Sequence, residues 1–189
     1  MASTPRTASP TGHTRWEIDP AHTTVEFAAK HMMIATIKGY FSEMSGTIEA
    51  DETHPDQSTV EATIDAASID TRTEQRDTHL SSVDFLDVEN YPIITFRSKR
   101  VEGASGKSGD EFKVIGDLTI HGTTREVTLD VINEGKIRDL DGKERAGFSA
   151  TTMVDRRDFG LTWNQALEAG GVLVGNEISI SIEAEAVES

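Results

Sequence analysis

Apolar and polar residues alternate with a period of two along most of this chain. Segments such as TVEFAAKH (24–31), REVTLDVIN (125–133) and EISISIEAEA (177–186) place an apolar side chain at every second position. Successive side chains of a β-strand point to opposite faces, so each segment is expected to have one apolar and one solvated face. That pattern is typical of antiparallel sheets. The sequence therefore predicts an all-β fold of about eight strands.

Short polar links separate the alternating segments. HGTT (121–124) is a tight, glycine-containing link that predicts a hairpin. One short helix is predicted in TRTEQRDTHL (71–80), where Thr71 and Glu74 have capping-box spacing. A second short turn is predicted within residues 31–41, ending at Gly39. We expect a flexible tail over residues 1–14 and a single domain over residues 15–188.

So many antiparallel strands must protect their edges, and closure into a single barrel does so. An eight-stranded barrel is either filled by side chains or holds one ligand. Many positions on the predicted inner faces are small, which favours a cavity, but the same residues would also fit a tightly packed interior. They are Ala29, Ala50, Ala62, Ala66, Gly116, Ala146, Ala150, Ala184 and Ala186.

Charge and composition exclude several classes of function. The chain has 18 Lys and Arg against 33 Asp and Glu, a net charge of −15, which disfavours nucleic acid as a partner. It has no cysteine, so disulfides and thiolate chemistry are excluded. The first 15 residues contain no apolar run of the kind that a secretory signal needs, and no segment is long enough to span a membrane. We therefore expect a cytoplasmic protein without stable membrane insertion.

The segment DFGLTWNQALEAGGVLVG (158–175) is apolar at its ends and polar in the middle. It predicts a loop at a barrel end, in which Trp163 forms an apolar lip while Asn164 and Gln165 offer uncharged hydrogen bonds at a rim. The alternative is that Trp163 plugs the barrel end and that the two amides only satisfy nearby backbone groups.

Catalytic and metal-binding motifs are not found in the sequence. No pair among the six histidines has the HExxH spacing, and neither a GxSxG elbow nor a phosphate-binding glycine loop occurs. His31 follows a predicted strand and is either an anion contact or a structural residue. The sequence thus predicts no enzyme activity, no cofactor, no metal site and no catalytic residue.

Several longer blocks resemble the YceI-like family. They include IDPAHTTVEFAAKHMMIATIKGYF (18–41), RDTHLSSVDFLDVENYPIITFRS (76–98), GDLTIHGTTREVTLDV (116–131) and RAGFSATTMVDRRDFGLTWN (145–164), and the resemblance runs from Trp16 to about Val187. It implies a lipocalin-like, extended antiparallel barrel. It also implies a long polyisoprenoid, such as a polyprenyl quinone precursor or a polyprenyl pyrophosphate, bound inside.

We therefore predict a carrier or storage protein for an isoprenoid lipid. Two alternatives are a barrel enzyme acting on a lipid-like molecule, which needs a titratable pair such as His31 with a carboxylate, and a ligand-free, dimeric interaction domain. His31, Asn164 and Gln165 are the predicted rim residues. The predicted apolar lining, taken from the phase of each strand, consists of Phe27, Phe41, Phe96, Leu118, Leu129, Phe148, Phe159, Leu161 and Trp163.

Overall fold

The computed structural model describes residues 12–189, which form one closed antiparallel sheet and one α-helix. The first eleven residues, which make up most of the predicted tail, lie outside the described part. The first strand begins at His13, so it includes two residues that we assigned to the tail. The strands are β1 (His13–Ile18), β2 (Thr24–His31), β3 (Ala35–Phe41), β4 (Met44–Asp51), β5 (Thr59–Asp65), β6 (Ile69–Asp70), β7 (Ile93–Glu102), β8 (Glu111–Ile120), β9 (Thr123–Arg138), β10 (Glu144–Asp155) and β11 (Val174–Glu188), and the helix is α1 (Glu74–Ser81).

The eleven segments occupy eight positions around a barrel, which confirms the predicted fold. The order is β1–β4–β5–β7–β8–β9–β10–β11, and β11 pairs back with β1 to close the ring. The long β11 also pairs with β2, β2 pairs with β3, and β3 pairs with β6. Thus β1 and β2 are two halves of one bent strand, as are β3 with β4 and β5 with β6.

The bends lie where the chain departs from extended geometry. A turn of 3-10 helix, Pro20–His22, separates β1 from β2, and its N-cap Asp19 accepts a hydrogen bond from the Ala21 N–H. A second 3-10 turn, Ala66–Ser68, separates β5 from β6. Proline cannot donate to a strand ladder, so Pro20 suits a point at which pairing changes partner.

Two local predictions need correction. Residues 31–41 form the β2–β3 hairpin, in which Met32 and Met33 take the left-handed turn conformation and Gly39 lies inside β3. Gly39 therefore ends no turn; it faces Phe27 across the strand pair, where a Cβ would lie 2.8 Å from the Thr71 methyl group. The helix begins at Glu74 with Thr73 as its N-cap, so Thr71 and Glu74 form no capping box.

The apolar side chains of the alternating segments point into the barrel, as the period-two pattern predicted. Apolar residues cluster at three levels of the barrel. The largest cluster, with Leu86, Leu118 and Phe159, lies at the end covered by α1 and the chain that follows it. At the other end Trp16 packs with Ala146 and Ala186. Among residues 12–189 no helix has the length and apolar character needed to cross a membrane.

Candidate functional site

The barrel interior is not filled by its side chains. It contains a cavity of about 580 Å³, a size typical of small-molecule sites. The wall is almost entirely apolar and takes residues from most strands of the barrel. Many inward-facing residues are only half-buried, because their side chains border this empty space rather than other atoms.

Eight of the nine predicted lining residues lie on the cavity wall. They are Phe27, Phe41, Phe96, Leu118, Leu129, Phe148, Phe159 and Leu161. Each position was assigned from strand phase, and a shift of one residue would have turned it outward. Whether these side chains contact a ligand stays a prediction.

The small residues explain why there is space. Ala29, Ala50, Ala62, Ala150 and Ala184 line the cavity, where larger side chains would meet across the barrel. Ala66, Ala146 and Ala186 instead lie in tightly packed clusters at the barrel ends, with exposed fractions of 2% or less. The sequence left open either a cavity or a tightly packed interior. The first holds for the alanines on the cavity wall, and the second holds for those at the barrel ends.

One end of the cavity is closed. Leu80 at the end of α1, together with Phe85 and Leu86 after it, covers this end from one side. Phe159 and Leu161, which follow β10, cover it from the other side. All of these side chains except Leu80 are more than 90% buried, so this end presents a continuous apolar floor.

Trp163 does not lie on the cavity wall, in contrast to the prediction. Its ring packs on the outer side of the closed end, 4.6 Å from the His79 ring and 5.3 Å from the Phe85 ring, measured between centroids. Because Phe85 does line the cavity, Trp163 supports the wall from behind. Its position is closer to the predicted alternative of a plug.

The predicted rim residues are near one another but border no opening. The amide of Asn164 donates from Nδ2 to the Val174 carbonyl (2.8 Å), and its Oδ1 accepts from the Val174 N–H (3.1 Å). Gln165 is exposed, and His31 pairs with Val174 at the end of β2. None of the three lies on the cavity wall. Asn164 therefore satisfies nearby backbone groups, as the alternative interpretation had it.

Arg156 is a buried cation at the closed end, 4% exposed and part of the cavity wall. Its Nε donates to the Gly175 carbonyl (2.9 Å), and its Nη1 donates to the carbonyls of Leu161 (2.7 Å) and Trp163 (2.9 Å). Burial lowers the pKa of this guanidinium from its ordinary value, although arginine stays protonated in proteins. The side chain thus holds the chain on both sides of residues 162–173, the closing segment.

The cavity opens at the opposite end, which we call the mouth. Every solvent-exposed residue of the wall lies there: Glu52, Thr59, Ser105, Gly106 and Lys136. These residues come from the β4–β5 connection, the start of β5, the β7–β8 loop and β9. The rim residues predicted from the sequence therefore lie at the opposite end from the mouth, since strand phase alone does not tell which loops close a barrel.

An ion pair crosses the mouth. The Lys136 Nζ lies 2.9 Å from Glu52 Oε1 and 4.9 Å from the centre of the Trp16 ring. The strand β4, which ends beside Glu52, and β9, which carries Lys136, are four positions apart in the eight-position ring. The pair therefore joins opposite sides of the barrel.

Asp51 is a buried carboxylate beside this pair, 4% exposed. Its Oδ1 accepts hydrogen bonds from the Thr53 hydroxyl (2.7 Å), the His54 N–H (2.8 Å) and the Thr53 N–H (2.9 Å). These bonds favour the ionised form and lower the pKa of Asp51 to about 2. Asp51 consequently carries a full negative charge at neutral pH.

One group of possible metal ligands lies away from the cavity. A single ligand atom from each of Asp19, His22 and Glu185 falls within 4.8 Å of the others. However, Arg145 Nη1 already contacts Asp19 Oδ2 (3.1 Å) and Glu185 Oε1 (2.5 Å). A guanidinium thus neutralises these carboxylates, and the donor set does not favour a divalent ion.

Comparison with known proteins agrees with this architecture. The YceI-like domain matches residues 16–186. A UPF0312 protein of Staphylococcus aureus strain N315 is 38% identical over 173 residues, which is 91% of this chain and 96% of the relative. The Campylobacter jejuni YCEI protein superposes with a TM-score of 0.70 at 32% identity, covering 85% of this chain and 90% of that one.

A more distant structure shares the fold alone. It is described as a polyisoprenoid binding domain from Saccharophagus degradans, and it superposes with a TM-score of 0.66 at 13% identity. The superposition covers 92% of this chain and 98% of the other. The barrel, its apolar interior and the match over residues 16–186 lead to one conclusion: this chain belongs to the YceI-like family.

Proposed function

We propose that this protein binds a long-chain isoprenoid lipid inside its barrel and acts as a carrier or store for it. The observation that carries the proposal is the cavity itself: its wall is almost entirely apolar, closed at one end and open at the other. A chain of apolar units that enters through the mouth would leave water on all sides. Burial of apolar surface stabilises such a complex by roughly 25 cal/mol per Å², before association costs are subtracted.

The family relationship supports an isoprenoid over other lipids. The Saccharophagus degradans domain, which shares this barrel, is described as polyisoprenoid binding. At such low sequence identity, the likeness shows a shared fold but not a shared ligand. The isoprenoid ligand is therefore part of the proposal. The branched, flat isoprene units would suit a wall in which a phenylalanine and an alanine follow each other on one face, as Phe27 and Ala29 do on β2 and Phe148 and Ala150 on β10.

The wall supports binding without catalysis. Its charged residues are Asp51, Glu52 and Lys136 at the mouth and Arg156 at the closed end. Asp51 and Arg156 are occupied by the hydrogen bonds described above, and Glu52 pairs with Lys136. His31, the predicted partner for a catalytic carboxylate, is not on the wall. The proposal therefore assigns no general base to the wall.

A cavity-filling substitution tests the proposal. Ala62 lines the cavity and is paired with Phe96 across β5 and β7. Phenylalanine at position 62 would extend into the space that the lipid needs. We expect Ala62→Phe to bind a polyprenyl quinone at least about tenfold more weakly than the unmodified protein, measured by titration of delipidated protein.

The neighbouring position gives the matched control. Thr63 belongs to the same strand, but its side chain is on the opposite face and does not line the cavity. Thr63→Phe should therefore bind the quinone like the unmodified protein. Equal binding by all three proteins, or binding by none, would contradict the proposed function.

A further inference from the structure

Two imidazole rings lie next to one oxygen of the buried Asp51 carboxylate. His13 pairs with Asp51 across β1 and β4, and its Nε2 lies 3.6 Å from Asp51 Oδ2. His54 follows in the connection after β4, and its Nδ1 lies 3.7 Å from the same oxygen. The fold thus brings together two nitrogen ligands and one oxygen ligand from two separate parts of the sequence.

The Asp51 carboxylate is held in place through its other oxygen. Oδ1 accepts the three hydrogen bonds from Thr53 and His54, and the Asp51 N–H donates to Ser58 Oγ (3.0 Å). Within residues 12–189, Oδ2 makes no hydrogen bond, and Asp51 forms no ion pair with a lysine or an arginine. A carboxylate that is ionised, oriented and buried, and that has one unused oxygen, suits a cation.

The two distances to Oδ2 are too long for hydrogen bonds and close to the spacing of two ligands on one metal ion. Zinc lies about 2.0–2.1 Å from a histidine nitrogen and about 2.0–2.2 Å from a carboxylate oxygen. Two such ligand atoms of a tetrahedral site are therefore about 3.3–3.5 Å apart. Each imidazole would have to approach Oδ2 by only a few tenths of an ångström to share an ion with it.

The two rings must also turn towards each other. The three ligand atoms are not all within 4.8 Å of one another, so the distance between the two ring nitrogens has to shorten. Both histidine side chains are more than half exposed, 56% for His13 and 64% for His54, which leaves them free to turn. The His54 ring would give up its contact with the Thr53 hydroxyl (2.9 Å). The carboxylate would stay fixed while the rings close around the ion.

The group formed by Asp19, His22 and Glu185 gives a useful contrast. There His22 Nδ1 lies 2.9 Å from Asp19 Oδ2, a direct hydrogen bond, and Arg145 contacts both carboxylates. The positive charge that those carboxylates need is already supplied by the protein. Around Asp51 the distances are longer, and within the described residues no guanidinium takes the place of an ion.

We propose that His13, Asp51 and His54 bind one divalent transition-metal ion, for which Zn²⁺ is the best match, and that a water molecule completes the tetrahedron. Imidazole nitrogen and carboxylate oxygen are ligands that zinc takes together, whereas Mg²⁺ and Ca²⁺ prefer oxygen alone. Because the ligands come from β1, from β4 and from the connection after β4, the ion would fasten the start of the first strand to its neighbour. This inference goes beyond lipid binding and does not depend on it.

Calorimetric titration of the untagged, EDTA-treated full chain with ZnCl₂ at pH 7.5 is the first test. We expect one Zn²⁺ per chain, with no competition from a large excess of Mg²⁺. Histidine ligands must be deprotonated to bind a metal, so the affinity should fall at least about tenfold at pH 5.5. At a Zn²⁺ concentration of one hundred times the Kd, the melting temperature should rise by about 5–10 °C.

Substitution of each ligand is the second test. His13→Gln and His54→Gln alter exposed side chains, and each should weaken zinc binding at least about tenfold and remove the rise in melting temperature. Asp51→Asn keeps an oxygen for the three donors but loses the anionic ligand, and it should lose zinc binding as well. His22→Gln is the matched control, since it also removes an imidazole beside a carboxylate, and it should bind zinc like the unmodified protein.

Every outcome bears on the site. Failure of the unmodified chain to bind Zn²⁺ would overturn the proposal. Zinc binding that both His13→Gln and His54→Gln retain, or that His22→Gln loses, would overturn it too, because other residues would then hold the ion. Melting curves without zinc show whether each variant is folded, and the two histidine variants decide the question even if Asp51→Asn is not. Since no lipid enters these measurements, their result leaves the proposed function to its own test.

Discussion

Replacement of Arg156 by methionine should loosen the closed end of the barrel. Methionine keeps most of the length of the side chain but provides no hydrogen-bond donor. The carbonyls of Leu161, Trp163 and Gly175, each within 2.9 Å of the guanidinium, would lose their partner. Leu161 precedes the closing segment, Trp163 lies near its start, and Gly175 follows its end. The whole segment would therefore lose its attachment.

The magnitude follows from these three bonds. A hydrogen bond that folding forms contributes about 1 kcal/mol net, and one to a charged group somewhat more. Three such bonds give about 3 kcal/mol, and the two contacts at 3.4 Å are too long to add much. For a chain of this size about 3 kcal/mol corresponds to a decrease in melting temperature of about 6–12 °C.

Thermal unfolding followed by circular dichroism measures this decrease, and tryptophan fluorescence reports on the closing segment through Trp163. The adjacent Arg157 is the control, because it is exposed and contacts only Asp155 through its side chain. Arg157→Met should change the melting temperature by no more than about 2 °C. If Arg156→Met were as stable as Arg157→Met, the assignment of Arg156 as the anchor of the closing segment would be refuted.

Three further perturbations have defined outcomes. The pKa of Asp51 is lowered to about 2 from 3.8, so its contribution to stability is present above about pH 4 and is lost as the pH falls towards 2. The free energy of unfolding of Asp51→Asn, measured in urea, should therefore depend less on pH in that range. A pH dependence equal to that of the unmodified protein would refute this. Gly116→Ala should lower the free energy of unfolding by about 2 kcal/mol, because the new Cβ would lie 2.7 Å from the Phe96 ring and would also meet strand backbone. Gly147→Ala should lower it less in the same denaturation assay, because its Cβ would meet only a side-chain carbon at 3.3 Å. Trp163→Ala should speed the release of bound lipid in a competition assay by weakening the support behind Phe85, and an unchanged release rate would argue against that support.

The strands and the cavity wall could be predicted because period-two alternation specifies which face each residue occupies. In β9 and β11 every predicted inward residue lies inward, since one register satisfies the whole apolar face. The three bent strands were not predicted in detail. At residues 19–23, for example, the inward positions change from even to odd numbers, as between Ile18 and Val25. Such a shift of phase marks a break between two strands, but it does not tell whether the chain bends and continues or turns back as a hairpin.

The ends of the barrel could not be predicted in the same way. The closing segment has no periodicity, and its structure depends on a side chain outside it, Arg156, and on packing against a distant helix. One signal for the mouth was present in REVTLDVIN, where Asn133 interrupts an otherwise apolar inward face. An uncharged polar residue in that phase marks either a barrel end or a ligand contact, and here it lies at both a barrel end and the cavity wall.

The central claim is that the apolar cavity holds one isoprenoid lipid. Native mass spectrometry of the protein as purified, followed by organic extraction, tests it most directly. We predict one bound lipid per chain, from a series whose members differ by one isoprene unit, and extraction would identify the head group. A mass equal to that of the chain alone, unchanged after incubation with polyprenyl quinone and polyprenol, would contradict the claim.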